Sequence, residues 1–371
     1  MAIVKLGDVA HEYKTTIKNS SGYPIVGLEH LTPSEIDLVH WDENVETTFS
    51  KGFKKGHVLF GRRRAYLKKA AVAPFDGICS GDIIVIEAEE DRIRADLLPF
   101  IIQNDLFFDY AMSKSAGGLS PRVKWADLKE YEFNLPPLIE QESLVDLLSS
   151  AYETKKAYLK LIDQTEEIVK SQFIEMFKDS PEVKLGDLCE LINGDRSKKN
   201  YPTGGDRVSE GIPFINAGHL DGRTVCFDEM DYITEQKYNQ ISKGKVKKDD
   251  ILYCLRGSLG KHGLVDFDEG LIASSLVIIR CDQSRILPEF LLAALESDRI
   301  EMQLREANNG TSQPNLSADS VKKYMIPQVP FEEQKQFVEF FKQSDKSKFE
   351  LKQAAKRIDD LIKSFVQQDL Y

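Results

Sequence analysis

The segment VKLGD at residues 4–8 returns unchanged at 183–187, and from there the 371-residue chain reads as a second copy of itself. The offset is 179 at that segment (183 − 4). It is 189 where YPIVGLEHL at 23–31 meets IPFINAGHL at 212–220, with Pro24 on Pro213 and His30 on His219. From Lys54 and Lys55 on Lys247 and Lys248 it settles at 193 and holds without a gap. Arg63 then falls on Arg256, Gly77 on Gly270, IIVI at 83–86 on LVII at 276–279, and Tyr131 on Tyr324. Pro121 falls on Pro314, and Pro137 with Glu140 and Gln141 on Pro330 with Glu333 and Gln334. A chain built this way folds as two related modules. The copies differ mainly before residue 54, where the second carries fourteen extra residues (193 − 179), most of them around the polar, Gly-rich stretch 193–211 that reads as loop.

Each copy has two parts. The first, of about 135 residues, consists of short apolar runs punctuated by Gly and Pro, such as VLF at 58–60 and IIVI at 83–86, which predict buried strands. One helical stretch interrupts each, at about 96–112 and 288–306. The second part, after Pro137 or Pro330, runs on without Gly or Pro to Ser180 or to the end of the chain. Proline suits the first turn of a helix, and Glu140, Glu142, Glu332 and Glu333 suit the positive end of its dipole. Steps of four and three from Leu144 reach Leu148, Ala151, Lys155, Tyr158, Ile162, Thr165, Val169, Gln172 and Met176. The same steps from Phe337 reach Phe341, Ser344, Lys348, Leu351, Ala355, Ile358, Ile362, Phe365 and Asp369. This is an imperfect heptad seam, with a lysine at the same place in both tails. A helix that long with one apolar stripe needs a partner of similar length, and its own duplicate is at hand; the alternative is two separate amphipathic helices, each lying on its own domain. The expected fold class is α+β, with two tandem β-rich domains at 1–136 and 181–329, each followed by a long helix at 137–180 and 330–371.

Composition excludes several classes. With 42% hydrophobic and 29% charged residues the chain has material for globular cores, and no apolar run approaches a membrane span. The segment MAIVKLGDVAHEYK lacks signal-peptide architecture, which predicts a cytoplasmic protein. Five scattered cysteines show neither a disulfide framework nor C-x-x-C spacing, so buried free thiols and no metal are expected. The net charge of −11 says little about nucleic acid, because binding depends on where charge sits. Residues 51–69, KGFKKGHVLFGRRRAYLKK, carry eight Lys or Arg and no acid.

Residues 308–334, NNGTSQPNLSADSVKKYMIPQVPFEEQ, resemble the end of a type I restriction–modification specificity domain. That pattern runs G-[ST]-x-Q-P-N-L, a short helix, a strand with I-P, then P-x-x-E-Q opening the long helix. Gly310, Thr311, Gln313, Pro314, Asn315 and Leu316 fit it, as do Ile326, Pro327, Pro330, Glu333 and Gln334. The first copy, KSAGGLSPRVKWADLKEYEFNLPPLIEQ at 114–141, departs from it: Ser120 stands for the glutamine and Arg122 for the asparagine. LFGRRRAYLKKAAVAPFDGICS at 59–80 and LYCLRGSLGKH at 252–262 resemble two variants of the family's central segment.

The resemblance implies two target-recognition domains carried by an antiparallel coiled coil, each reading one half of a split target in double-stranded DNA. It implies two methyltransferase subunits docked on the scaffold, with restriction/translocase subunits joining them. The chain itself is expected to be non-catalytic and free of cofactor, with S-adenosylmethionine, ATP and Mg on the partners. A related system whose partner is a fused nuclease–methyltransferase gives the same sequence reading. Against that resemblance, the terminal helical extensions found in many relatives are expected to be short or absent here.

The DNA-contact candidates in the first copy are Arg62, Arg63, Arg64, Lys68 and Lys69, for phosphates or a guanine edge, together with Gly117, Gly118, Ser120, Arg122 and Lys124. In the second copy they are Arg256, Lys261 and His262, with Asn309, Gly310, Thr311, Ser312, Gln313 and Asn315. A solvated basic strand and a loop fixed by amide caps are the structural alternatives. His30 and His219, equivalent after an apolar run, are expected to be structural. An enzyme is disfavoured. NLPPL at 134–138 has an extra leucine relative to an amino-methyltransferase motif, and GSLGK at 257–261 lacks the first glycine of a P-loop. A coiled-coil scaffold that ignores DNA is the remaining rival.

Overall fold

The computed structural model describes residues 2–18, 21–195, 197, 201–307 and 315–370. The chain forms two compact units, residues 1–160 with 351–371 and residues 161–350, so each unit contains part of both long helices.

In the first unit Ala2–Lys5 pairs antiparallel with Glu132–Leu135, tying the beginning of the module to its end. A four-stranded antiparallel sheet takes the order Ala10–Glu12, Ile83–Ala88, Val58–Gly61, Ala70–Val72. The apolar runs VLF and IIVI form its two central strands, and their residues are buried on both faces. A smaller sheet joins Ile25–Val26, parallel, and Lys51–Phe53, antiparallel, to Gly77–Cys79. The second unit repeats the plan. Glu182–Lys184 pairs with Met325–Pro327, and the four-stranded order is Cys189–Asn193, Leu276–Cys281, Ile251–Cys254, His262–Leu264. Ile212–Ile215 lies parallel to Leu271–Ile272, as its counterpart does in the first unit. The longer second copy adds strands Arg207–Val208 and Asp231–Ile233 to that smaller sheet.

Each expected intermediate helix is in fact two, Leu98–Ile102 and Asp105–Ser113 in one unit, Pro288–Leu295 and Asp298–Ala307 in the other. The break has a cause at equivalent positions. Asn104 caps its second helix by accepting from the Leu106 N–H at 2.9 Å, and the Ser297 hydroxyl donates to the Ala294 carbonyl at 2.6 Å.

The long helices run Leu138–Phe177 and Phe331–Leu370. Behind each start lies a buried glutamine, Gln141 or Gln334. The Gln141 amide accepts from the Arg94 N–H and donates to the carbonyls of Arg92 and Pro136; Gln334 does the same with Leu287, Arg285 and Val329. Within the first unit Leu144, Leu148 and Tyr152 share a core with Val366 and Leu370. Lys155 Nζ lies 2.9 Å from Asp359 Oδ1. Within the second unit Phe173 and Phe177 pack on Phe337, and Lys348 Nζ lies 3.4 Å from Glu166 Oε1. The shared lysine of the heptad seam is thus buried in both units. Near the helix ends the apolar stripe slips by one residue: Phe173 and Phe177 are buried rather than Gln172 and Met176, and Val366 is more deeply buried than Phe365. A straight helix drifts by about 20° per heptad against a strict 3.5-residue repeat, which over several heptads brings the next position onto the inner face.

All five cysteines are free; Cys79, Cys189 and Cys254 are buried, and the Cys189 and Cys281 sulfurs lie 4.0 Å apart on neighbouring strands. No helix among the described residues is long and apolar enough to cross a membrane.

Candidate nucleic-acid interface

In the first unit, the central strand Val58–Gly61 runs on as an extended segment, and the chain from Pro121 lies beside it. The Val123 N–H donates to the Arg62 carbonyl at 3.0 Å and the Arg64 N–H to the Pro121 carbonyl at 2.9 Å, which pairs Arg63 with Arg122. Two candidate segments separated by nearly sixty residues of sequence thus form one surface. Reciprocal hydrogen bonds between Ala116 and Arg122 close the loop between them. At its tip are Gly117, with φ of 119°, Gly118 and Leu119, an apolar side chain 99% exposed.

Asp82 organises the charges. It accepts from Arg122 Nε at 2.7 Å and Arg122 Nη2 at 3.1 Å, and Arg63 Nη1 stands 3.8 Å away. Arg63 Nε donates to the Ser120 hydroxyl at 2.5 Å. The Arg122 hydrogen bonds, helped by the charges of Arg122, Arg63 and Arg62, hold the Asp82 carboxyl below the ordinary carboxylate range.

The remaining basic residues divide. Lys69 Nζ donates inward to the Leu28 carbonyl at 2.7 Å, and Lys68 Nζ pairs with Asp105. Arg64 and Lys68 both adopt left-handed backbone conformations, φ 55° and 50°, on either side of the single turn Ala65–Leu67. Such conformations cost about 1–3 kcal/mol each in a residue with a Cβ and concentrate where a loop must present a side chain in one direction. The turn projects Tyr66 and Leu67, both exposed. Arg62 and Lys124 line a separate open cleft of about 460 Å³, with Lys14, Lys129 and Trp125 beside them and Glu12 as the one acid.

The second unit makes the same pairing. The Leu316 N–H donates to the Leu255 carbonyl at 2.9 Å, Arg256 pairs with Asn315, and Arg256 Nε donates to Asn315 Oδ1 at 3.3 Å. Gly257 and Gly260, with φ of 80° and 77°, turn the chain so that the Cys254 N–H reaches the Lys261 carbonyl at 2.8 Å. His262 does not share this surface: it is buried, its Nδ1 is 2.7 Å from the Gly260 carbonyl, and its ring stacks on Tyr253. Burial lowers its pKa. Asn309, Gly310, Thr311, Ser312 and Gln313 lie outside the described residues. His30 and His219 have structural partners, each Nδ1 accepting from a backbone N–H three residues back, of Gly27 at 3.0 Å and Asn216 at 3.1 Å. Among the described residues no cluster of ligands suited to a metal occurs.

Asp82, Tyr66 and Leu119 belong to no motif visible in the sequence alone. Tyr66 is the aromatic residue inside RRRAYLKK; the partnership of Asp82 with residues forty positions away leaves no local trace.

The same duplicated plan is found in known proteins. The model of the type I restriction modification DNA specificity domain matches residues 1–165 and again residues 178–359. The chain belongs to that family. Over 167 residues it is 25% identical to the type I restriction enzyme EcoBI specificity subunit of Escherichia coli, covering 44% of this chain and 35% of that protein. Over 320 residues it is 23% identical to the MjaVIII specificity subunit of Methanocaldococcus jannaschii, covering 77% and 73%. The chain spans about a third of the length of the Escherichia coli relatives it matches. In fold it is similar to the S subunit of the type I restriction–modification system from M. genitalium, with TM-score 0.52 at 16% identity over 98% of this chain and 95% of that one. It is also similar to a chain solved in work on complex assembly and conformational transition of the type I R-M system, with TM-score 0.57 at 19% identity over 99% and 97%.

Proposed function

We propose that this specificity subunit reads double-stranded DNA, each unit recognising one half of a bipartite target. The carrying observation is the repeated pairing of Arg63 with Arg122 and Arg256 with Asn315, which sets side chains able to donate to base edges on the same strand extension in both units. Because Arg122 and Asn315 differ, the two half-sites need not be palindromic. In this reading Arg62, Arg64, Lys124 and Lys261 serve phosphates, and the Gly117–Ser120 loop approaches a groove, whereas Lys69 is turned inward to the Leu28 carbonyl and Lys68 is held by Asp105.

The two long helices form an antiparallel coiled coil whose length sets the spacer between half-sites. Support comes from the buried lysines. From Lys155 to Glu166 the first helix advances by as many residues as the second retreats from Asp359 to Lys348, so both ion pairs fit one antiparallel register. Two methyltransferase subunits dock on this scaffold and restriction/translocase subunits join them. S-adenosylmethionine, ATP and Mg belong to those partners, and the chain is a non-catalytic recognition subunit.

The test is to map methylated adenines in host DNA with and without this chain. A bipartite motif that vanishes with it is expected; an unchanged methylation pattern overturns the reading. Lengthening both helices by one turn should change the accepted spacer, and an unchanged spacer refutes the ruler.

A further inference from the structure

The two units differ at one place where their backbones agree. Beside the Arg63–Arg122 pair the first unit has Asp82, whose carbonyl accepts from the Arg62 N–H; at the equivalent position the second unit has Ser275, whose carbonyl accepts from the Leu255 N–H. A guanidinium carries five N–H donors in a fixed plane. Asp82 takes the Nε–H and one Nη2–H of Arg122, and Ser120 takes the Nε–H of Arg63. Arg122 is therefore held by its Nε edge on Asp82, and Arg63 by its Nε on Ser120 with its Nη1 drawn toward Asp82 Oδ2 at 3.8 Å, which leaves at least one N–H on each terminal nitrogen of both. A pair of N–H groups on the two terminal nitrogens has the form of the fork that matches O6 and N7 of guanine in the major groove. Both arginines remain partly exposed, with 39% and 44% of their side-chain surface accessible, so the fork is open to a ligand.

We propose that Asp82 is a positioning residue that locks Arg63 and Arg122 as guanine readers. The first half-site thus contains guanine, and the second unit, lacking the carboxylate, reads its half through Arg256 and the Asn315 amide. This rests on the DNA-reading function proposed above. Asp82 acts by geometry, because its own charge opposes DNA. Its removal has two opposite effects: background attraction to phosphates rises, while the orientational constraint on both forks is lost.

The full chain, in the complex it forms in its host, is incubated with a randomised double-stranded DNA library, and the enriched sequences are compared for wild type, Asp82→Asn and Arg122→Lys. Asp82→Asn should lower the preference for guanine in one half-motif by about tenfold while leaving the other half-motif intact and non-specific binding equal or stronger. Arg122→Lys keeps the charge and loses the fork, and should relax the same half-motif. If wild type enriches nothing, the DNA-reading function itself fails. If wild type enriches a motif and both variants keep every preference in it, or if relaxation appears equally in both halves, Asp82 has no positioning role. Matching thermal transitions of the three proteins exclude misfolding as the cause of a loss.

Discussion

Arg256 donates from Nε to the Asn315 side chain at 3.3 Å, and the two residues face each other as an isolated antiparallel bridge, the place that Arg63 and Arg122 occupy in the other unit. The backbone hydrogen bond that fixes this bridge is conserved between the copies, Val123 to Arg62 in one and Leu316 to Leu255 in the other. The duplication has thus kept a backbone device and varied the side chains mounted on it. Under the proposed DNA-reading function, a fixed frame with exchangeable donors lets one module read different bases, since base discrimination depends on donor and acceptor pattern at a fixed approach.

Arg63→Gln and Arg256→Gln are each expected to weaken binding of target duplex by about tenfold, the usual worth of one good side-chain contact to a base. Assembly with the proposed methyltransferase subunits should be unchanged, because neither residue belongs to the long helices on which they are proposed to dock. Fluorescence anisotropy with labelled target DNA over a salt series reads the first effect, and co-purification reads the second. Wild-type affinity in both variants would remove this surface from the interface.

Gln141 and Gln334 are 0% and 2% exposed, and each satisfies one backbone N–H and two carbonyls behind the start of a long helix. Gln141→Leu fills the space and strands those groups. An orphaned buried polar group costs about 1–3 kcal/mol, so a loss of about 3 kcal/mol is expected in urea unfolding, with the slope unchanged. Gln334→Leu should cost a similar amount. Gln141→Glu is no remedy, because it sets a carboxylate against two carbonyl oxygens. A loss below about 0.5 kcal/mol would mean that water replaces the amide.

Much of this was legible beforehand, and what was not has a physical reason. Period and repetition report on local geometry, so the strands VLF and IIVI, the long helices and the equivalence of Arg63 and Arg256 could be read directly. The break at Asn104 and Ser297 was missed because apolar residues continue on both sides of it, and capping competes with helix continuation through one side chain. The seam failed near Met176 because a strict heptad accumulates error against the helical repeat. The roles of Asp82 and His262 depend on neighbours far along the chain. His262 follows Gly260 and Lys261 and looks like part of a surface loop; it is inside because the turn closes on Tyr253.

Burial lowers the pKa of His262 below its ordinary 6.5, and the backbone carbonyl of Gly260 and the nearby Glu296 and Asp221 do not offset it; Arg223 adds to the lowering. His57, buried in the first unit, is shifted the same way by desolvation, against the opposing pull of Glu87. The folded chain therefore disfavours protons that the unfolded chain accepts. Above pH of about 7 neither state holds them and stability is flat. As pH falls through about 6.5 the unfolded state gains protons first, and stability drops. Urea midpoints should fall between pH 7.5 and 5.5, and His262→Gln should flatten part of that decline. An identical decline in the variant would show that His262 takes up its proton in the folded state as readily as in the unfolded.

Lys155 is the lysine that both tails share, and its ammonium sits between Asp359 at 2.9 Å and Glu35 at 3.5 Å with little solvent access. A lysine at a core position of paired helices costs stability compared with an apolar side chain and favours one register over its neighbours. The cycle Lys155→Met, Asp359→Leu and both together separates these effects. Each single change leaves a charge without its main partner, cushioned for Asp359 by Lys363 at 3.4 Å and for Lys155 by Glu35. Each should therefore destabilise by about 1–2 kcal/mol, less than a fully buried pair would lose. The double variant should recover to wild-type stability or beyond, giving a coupling of about 2 kcal/mol or more. Strict additivity would mean that the 2.9 Å contact contributes nothing to the pairing of these helices, and the lysine's place in both copies would then need another cause.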